Sequence, residues 1–581
     1  MKQQEFLLKF ARAFRSGDIS SVPDLLQKAQ KKFPKAPWLP YAKGTYLFRT
    51  GKIRESIPWL EKGVELHPKD VNALYALAQA LTQLAEYDRA ISLLKRVLKI
   101  TPDDLGTLED YRTLLHAKGD HVGCKEICER ILQLSPDLPG TLVYMAESLL
   151  SIGGDIQKSF DYFNRAMELK PNRTFASNML LYSNYVDFSP EHISELHKKQ
   201  AHLFENSEPE KTAVNAPRSK IRVGFVSADF RKHSVAFFLE ALFENYSREN
   251  FEFYLFANTA PYEEDEVSKK FKSITDFWFN IKKLSDNEAA ELIKREEVEI
   301  LIDLSGHTGG NRLGIFGLKP APIQITWLGY PNTTGLKAMD FRITDNIADS
   351  ENADSLYTEK LLRFSNCFLC YTPPENLPEA CPPDSGTITF GSFNNTNKIS
   401  QKTIEVWSSI LKAFPNSKLL LKHNQWHNPK MREIFSQKFA EYGVETQRIE
   451  FKNKTESNFE HFAEYNKVDI ALDTFPYNGT TTTCDAMAMG VPVISLLGKN
   501  HASRVSASIN INAGFECFVA KNEQEFVQIA VYYAQNREKL LEIKNKMQSQ
   551  MLASVLCSGK EFAKEFMGKI DEIHRNYHRK E

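Results

Sequence analysis

Prolines stand at positions 34, 68, 102, 136 and 171, at spacings of 34, 34, 34 and 35 residues. A second series, Gly17, Gly51, Ala85, Gly119 and Gly153, keeps the period, and one extra residue in the Gly153-Gly154 pair accounts for the final 35. A third, Ser56, Ala90, Cys124 and Ser159, is always small. A fixed period of this size means stacked supersecondary units. Each series answers a demand of a helix-turn-helix repeat. Glycine turns the chain between two antiparallel helices, the small residue lets them approach, and proline ends the second because it cannot continue it. Leu47, Leu81, Leu115 and Leu149 recur as an apolar position on the first helix.

This period resembles the tetratricopeptide family, with about five units over residues 3–171 and less regular units at both ends, as capping requires. The resemblance implies an all-α solenoid whose groove holds extended peptides, so this part alone predicts binding. Residues 172–219 read as a helical cap and a linker, the latter in the polar stretch ENSEPEKTAVNAPRSK.

After Lys220 the pattern changes to short β-branched runs separated by amphipathic stretches. Strands are expected at 221–228, 251–258, 298–305 and 323–329, then at 387–393, 417–423, 448–453, 468–475 and 491–498. Near-continuous apolar strands alternating with helices imply parallel sheets covered on both faces. The segment 370–386, CYTPPENLPEACPPDSG, holds five prolines and reads as a connector. The expected order is a first Rossmann-like lobe at 220–372, a connector at 373–386 and a second lobe at 387–581. Two such lobes would face each other across a cleft, with ligands at the carboxyl ends of the strands.

A formal net charge of -1 argues against a surface built for bulk nucleic acid. Eight irregularly spaced cysteines suit a reducing cytoplasm, and Cys367 and Cys370 in FSNCFLCY read as buried thiols. No run reaches the roughly 18 apolar residues a bilayer span needs. The opening MKQQEFLLKFARAF reads as an amphipathic helix rather than a signal peptide. No G-x-G-x-x-G, Walker loop or H-E-x-x-H is present, which disfavours dinucleotide oxidoreduction, P-loop hydrolysis and zinc hydrolysis.

The sharpest motif is ALDTFPYNGTTTTCDAMAMGVPV. A strand ends near Asp473, a tight turn follows, and Thr480, Thr481, Thr482 and Thr483 open a helix. A helix start offers unpaired N–H groups and a positive dipole end, which suits a diphosphate. Thr481 and Thr482 can add hydroxyl donors, and Asp485, one turn in, can accept from ribose hydroxyls. Lys398, past the strand in ITFGSFNNTNKIS, can bring a cation to the same diphosphate. In the first lobe His233 follows a strand in FVSADFRKHSVAFF, and His307 and Thr308 follow another in LSGHTGGNRLG, where glycines would admit a ligand. Leu328, Gly329 and Pro331 lie in the next such loop, WLGYPNTTG.

These stretches, with PAPIQITWLGYPNTTGLKAMDFRITD and HASRVSAS, resemble the O-linked N-acetylglucosamine transferase and SPINDLY family, which joins tetratricopeptide repeats to a two-lobed GT-B catalytic region. The resemblance covers nearly the whole chain. It implies a protein O-glycosyltransferase that acts by inverting displacement, without a metal, and draws on a nucleotide-sugar donor with no further cofactor. It implies His233 as a base or substrate-positioning group and Lys398 as the cation on the leaving diphosphate. It implies donor contacts at Asn395, His461, Thr481, Thr482 and Asp485, and sugar-side contacts at Thr308, Leu328, Gly329 and Pro331. Thr480 stands where the animal transferase has histidine, and Asn458 where it has lysine. The expected donor is UDP-N-acetylglucosamine. GDP-fucose is the alternative, because CFLCYTP, GYPNTTGL and the FPYNGTTTTC turn are closer to SPINDLY. A non-catalytic binding protein is a further alternative. Acceptor proteins would be held by the repeat groove, with no nucleic acid or membrane as partner.

Overall fold

The computed structural model describes residues 3–17, 20–205, 218–381 and 386–579. Residues 206–217 of the expected linker and 382–385 of the expected connector lie outside the described residues. The chain divides into two compact units, Met1–Leu149 and Leu150–Glu581.

The first unit is built of paired helices: Gln3–Ser16 with Val22–Lys32, Leu39–Arg49 with Ile53–Leu66, Val71–Gln83 with Tyr87–Ile100, and Leu105–Ala117 with His121–Leu134. Two further helices, Pro139–Ser151 and Ile156–Leu169, follow in the chain. Every second helix stops two residues before its series proline. The next helix is then capped locally: Asp70 accepts from the Asn72 and Ala73 amides, and Asp104 from that of Thr107. All five members of the turn series take φ between 59° and 79°, Ala85 among them at a cost of about 1 kcal/mol relative to glycine. Ser56, Ala90, Cys124 and Ser159 are fully buried.

The second unit carries the remaining helices, including Arg173–Ser183 and Pro190–Gln200, and two parallel sheets. The first sheet contains β1 (Ile221–Ser227), β2 (Phe251–Ala257), β3 (Phe277–Asn280), β4 (Ile300–Asp303), β5 (Ile323–Thr326), β6 (Phe341–Asp345) and β7 (Lys360–Phe364), in the order β3-β2-β1-β4-β5-β6-β7. The second contains β8 (Ile388–Ser392), β9 (Ser417–Lys422), β10 (Ile449–Lys452), β11 (Ile470–Leu472), β12 (Val493–Leu496) and β13 (Val519–Ala520), in the order β10-β9-β8-β11-β12-β13. All nine expected strands are present. Four more were not expected, for local reasons. β3 and β7 are edge strands with exposed Phe277 and Lys360, β6 carries buried Arg342 and Asp345 in place of an apolar run, and β13 has two residues.

Two devices hold the lobes together. The helix Gly559–His578 follows the second lobe in sequence but packs on the first, with Phe562 and Phe566 at ring-centroid distances of 5.9 and 5.4 Å from buried Trp327. The HASRVSAS stretch supplies the other. His501 Nδ1 lies 2.7 Å from Asp349 Oδ2, Arg504 Nε donates to the Ile347 carbonyl, and the Ser508 hydroxyl donates to Asp345.

Candidate active site

Strand order reverses direction between β1 and β4 in one sheet and between β8 and β11 in the other. In open parallel sheets the crevice at such a reversal, outside the carboxyl ends, is where ligands bind. His233 follows β1 and Thr308 follows β4. Asn395 and Lys398 follow β8, and the run from Asp473 to Thr482 follows β11. Residues chosen from sequence motifs therefore flank both reversals.

In the second lobe the chain leaves β11 and folds back at once, because Asp473 Oδ1 accepts from the Gly479 amide at 2.7 Å. Burial raises the Asp473 carboxyl to about 6, against the pull of Ser506, nearby amides and Lys398. The helix Thr481–Ala488 then begins without a side-chain cap, since Thr480 makes no capping bond. The Thr480 carbonyl accepts from the Thr483 and Cys484 amides, but no Thr480 side-chain bond covers the helix start, which favours an anion there. The threonines divide in role. Thr482 Oγ1 donates to Asn394 Oδ1 at 2.9 Å and Thr483 Oγ1 bonds Ser506 Oγ at 2.8 Å, so both tie the helix start to neighbouring loops. The expected Thr482 hydroxyl donor is engaged within the protein, whereas half-buried Thr480 and Thr481 stand at the helix mouth.

Lys398 completes this corner. Its Nζ donates to the Asn478 carbonyl at 2.7 Å and lies 4.2 Å from the Tyr477 ring centroid. Burial pushes its pKa down to about 8, and the nearby Asp473 charge opposes the shift. Tyr477 stacks on Tyr185 at 4.9 Å and 28°.

A second cluster forms deeper along the same helix. Asp485 Oδ1 accepts from the Tyr371 hydroxyl at 2.6 Å, and its Oδ2 lies 3.7 Å from His461 Nε2. Lys422 Nζ donates to His461 Nδ1 at 2.7 Å, which places the imidazole proton on Nε2, facing Asp485. Burial pushes Lys422 down to about 8. Carboxylate, imidazole and ammonium thus meet beside the Phe393 ring, 6.0 Å from His461. Such a corner can bind hydroxyls and a flat base.

The first-lobe residues are less closely joined. His233 caps the helix Ser234–Asn245, its Nδ1 accepting from the Val235 amide at 3.3 Å, with Asp229 Oδ2 at 3.7 Å. The imidazole is 45% exposed, and these partners belong to its own loop and helix. Thr308 Oγ1 donates to the Ser305 carbonyl at 2.7 Å. Leu328 holds a positive φ of 61°. A Cβ on Gly329 would stand 1.9 Å from the Leu304 carbonyl oxygen, so only glycine lets this loop rest on the one after β4. Pro331 is buried.

His307 is a core residue. Its Nδ1 is 3.2 Å from Ser177 Oγ and its Nε2 2.9 Å from the Thr334 carbonyl, among the rings of His197, Phe204 and Tyr330. The glycines of this loop differ in the room they leave: a Cβ at Gly306 would meet Tyr330 at 2.2 Å, whereas one at Gly309 would meet nothing within 4 Å.

The family model described as glycosyl transferase family 41 matches residues 182–372 and 380–566. The chain belongs to glycosyl transferase family 41. A tetratricopeptide repeat model matches residues 41–104. The Arabidopsis thaliana protein named probable UDP-N-acetylglucosamine–peptide N-acetylglucosaminyltransferase SPINDLY is 36% identical over 405 residues, covering 68% of this chain and 44% of that protein. The Oryza sativa protein of the same name is 34% identical over 425 residues, covering 71% and 46%. The chain thus spans about half the length of the curated relatives it matches. Among solved structures, a mutant of the Thermobaculum terrenum O-GlcNAc transferase is similar with a TM-score of 0.81 at 28% identity, over 88% of this chain and 98% of that one. The two Rossmann-like lobes form the GT-B fold.

Sequence reasoning about this family 41 chain missed Lys422, Tyr371, Asn394 and Tyr477. Lys422 ends β9 and lies one residue before the end of the expected strand 417–423, so its position was itself a signal. Tyr371 lies in the CYTP segment, where no site residue was expected, and reaches Asp485 across 114 positions of sequence.

Proposed function

We propose that this family 41 chain is an inverting protein O-glycosyltransferase that moves N-acetylglucosamine from UDP-N-acetylglucosamine to serine or threonine hydroxyls. The observation that carries the reading is the meeting of Lys398 with the uncapped start of Thr481–Ala488 at the second-sheet reversal. Cation and helix N-terminus together suit a leaving diphosphate, where charge grows in the transition state. Asp485, His461 and Lys422 are suited to the nucleoside. The loops bearing Thr308, Leu328, Gly329 and Pro331 supply the sugar side. The acceptor hydroxyl attacks the anomeric carbon as the nucleotide diphosphate leaves, and half-exposed His233 takes the proton or positions the acceptor. No step of this scheme calls on a metal or further cofactor. The repeats hold extended acceptor segments. Names given to the relatives support the donor and the protein acceptor.

The FPYNGTTTTC turn, which places Tyr477 against Lys398, favours GDP-fucose as the second reading. Incubation with each donor separately, following nucleotide release and mass added to an acceptor or to the chain itself, decides between them. N-acetylhexosamine mass from the UDP donor alone is expected. Fucose mass alone would replace the first reading with the second, and no transfer from any donor would leave a binding protein.

A further inference from the structure

Glu299 immediately precedes β4, at the edge of the first sheet opposite the loops of the candidate active site. It is a buried carboxylate whose two oxygens are used differently. Oε2 accepts from the Arg222 backbone amide at 3.1 Å, and Oε1 faces His574 Nε2 at 2.9 Å. His578, one turn further along the helix Gly559–His578, brings its Nε2 within 3.1 Å of His574 Nε2. The three ligand atoms all lie within 4.8 Å of one another. Two imidazole nitrogens each about 2.0–2.1 Å from a tetrahedral zinc stand roughly 3.3 Å apart, close to the separation seen here. Histidines at i and i+4 on a helix plus one carboxylate form a donor set for a borderline divalent ion. The Arg222 amide holds the carboxylate in place, as outer-shell partners of metal ligands do.

We propose that Glu299, His574 and His578 form a three-ligand site for a divalent transition-metal ion, with zinc as the fitting probe, that clasps the helix Gly559–His578 to the amino-terminal edge of the first sheet. The site is structural, because its place at the opposite strand ends separates it from the reacting groups. Two ligands come from a helix beyond the second lobe and the third from the first lobe, 275 positions away, so the local H-x-x-x-H pattern alone does not announce the full set.

The test is a zinc titration of the whole chelator-treated chain by calorimetry, with melting temperature measured with and without the ion. One ion per chain and a raised melting temperature are expected. His578→Ala and Glu299→Gln should weaken binding by at least the ~10–100-fold that loss of an outer-shell partner alone costs. His578→Ala carries the test, since it leaves the His574–Glu299 contact intact and so preserves folding. Cobalt substitution adds a spectroscopic readout, with visible bands in the parent that His578→Ala abolishes. Absence of stoichiometric binding by the parent would overturn the proposal. So would equal affinity in parent and His578→Ala, which would put the ion elsewhere.

Discussion

His501 Nδ1 and Asp349 Oδ2 are 2.7 Å apart and join the two lobes through a contact from which water is excluded, their side chains being 2% and 1% exposed. Burial works against the Asp349 charge, yet the His501 ring and the Thr344 hydroxyl hold the carboxyl well below the usual carboxylate range. The Tyr357 hydroxyl adds a third bond at 2.6 Å. Removing the imidazole leaves the buried Asp349 carboxylate with only the Thr344 and Tyr357 hydroxyls. Burial lowers the His501 pKa, so the contact counts as a hydrogen bond to a charged group, and His501→Ala should lower stability by about 1.5–3 kcal/mol, read from urea unfolding. A loss below 1 kcal/mol would mean that the pair does not hold the lobes.

Lys398 can act on a diphosphate only while charged. With a folded pKa near 8, its charge is full below that value and is lost as pH rises through it. The transfer rate at low donor concentration should fall above pH 8. Lys398→Arg, permanently charged, should flatten that limb, while Lys398→Ala should lower turnover by about 100–1,000-fold, the usual size for one lost charge-stabilising donor. An unchanged rate in Lys398→Ala would remove the catalytic assignment.

Asp485→Asn keeps the shape but removes the charge that Tyr371 and His461 face. A charge-assisted hydrogen bond contributes about 1.5–3 kcal/mol, so donor KM should rise by about 10- to 100-fold. Turnover at saturating donor should change much less. A large fall in turnover with KM unchanged would place Asp485 at the reacting atoms instead.

His307 should matter for acid stability. Burial depresses its pKa to about 4, against 6.5 for an ordinary imidazole. Between these values the unfolded chain binds the extra proton, so stability falls as pH drops from 6.5 towards 4. The shift corresponds to as much as ~3 kcal/mol, and neighbouring His197, depressed to about 3, acts in the same direction. Urea midpoints between pH 7 and 4 should fall less steeply in His307→Gln. Identical slopes in the two proteins would count against this origin.

Period and strand pattern carried most of the architecture. The prolines mark the helix ends because a missing N–H is a local property, and Ala85 kept its place in the turn series despite its Cβ. The meeting of Lys398 with the threonine run was legible for a similar reason: each follows a strand, and strand ends at a reversal converge. What was not legible depends on pairing over distance. Thr482 looks like a free donor until Asn394 is placed beside it. His307 looks like a site residue until Ser177 and Tyr330 close around it. Lys422 gains a role only when β9 is set beside β8, which brings it to His461.

The crossing of the last described helix also bears on how the chain is made. A ribosome completes the last strand of the first lobe, which ends at Phe364, nearly two hundred residues before it delivers Phe562 and Phe566. Until then Trp327 has no aromatic cover, and the lobe must wait in an unfinished form while the second is synthesised. The Trp327 face of the first lobe is therefore completed only after the second lobe has been synthesised.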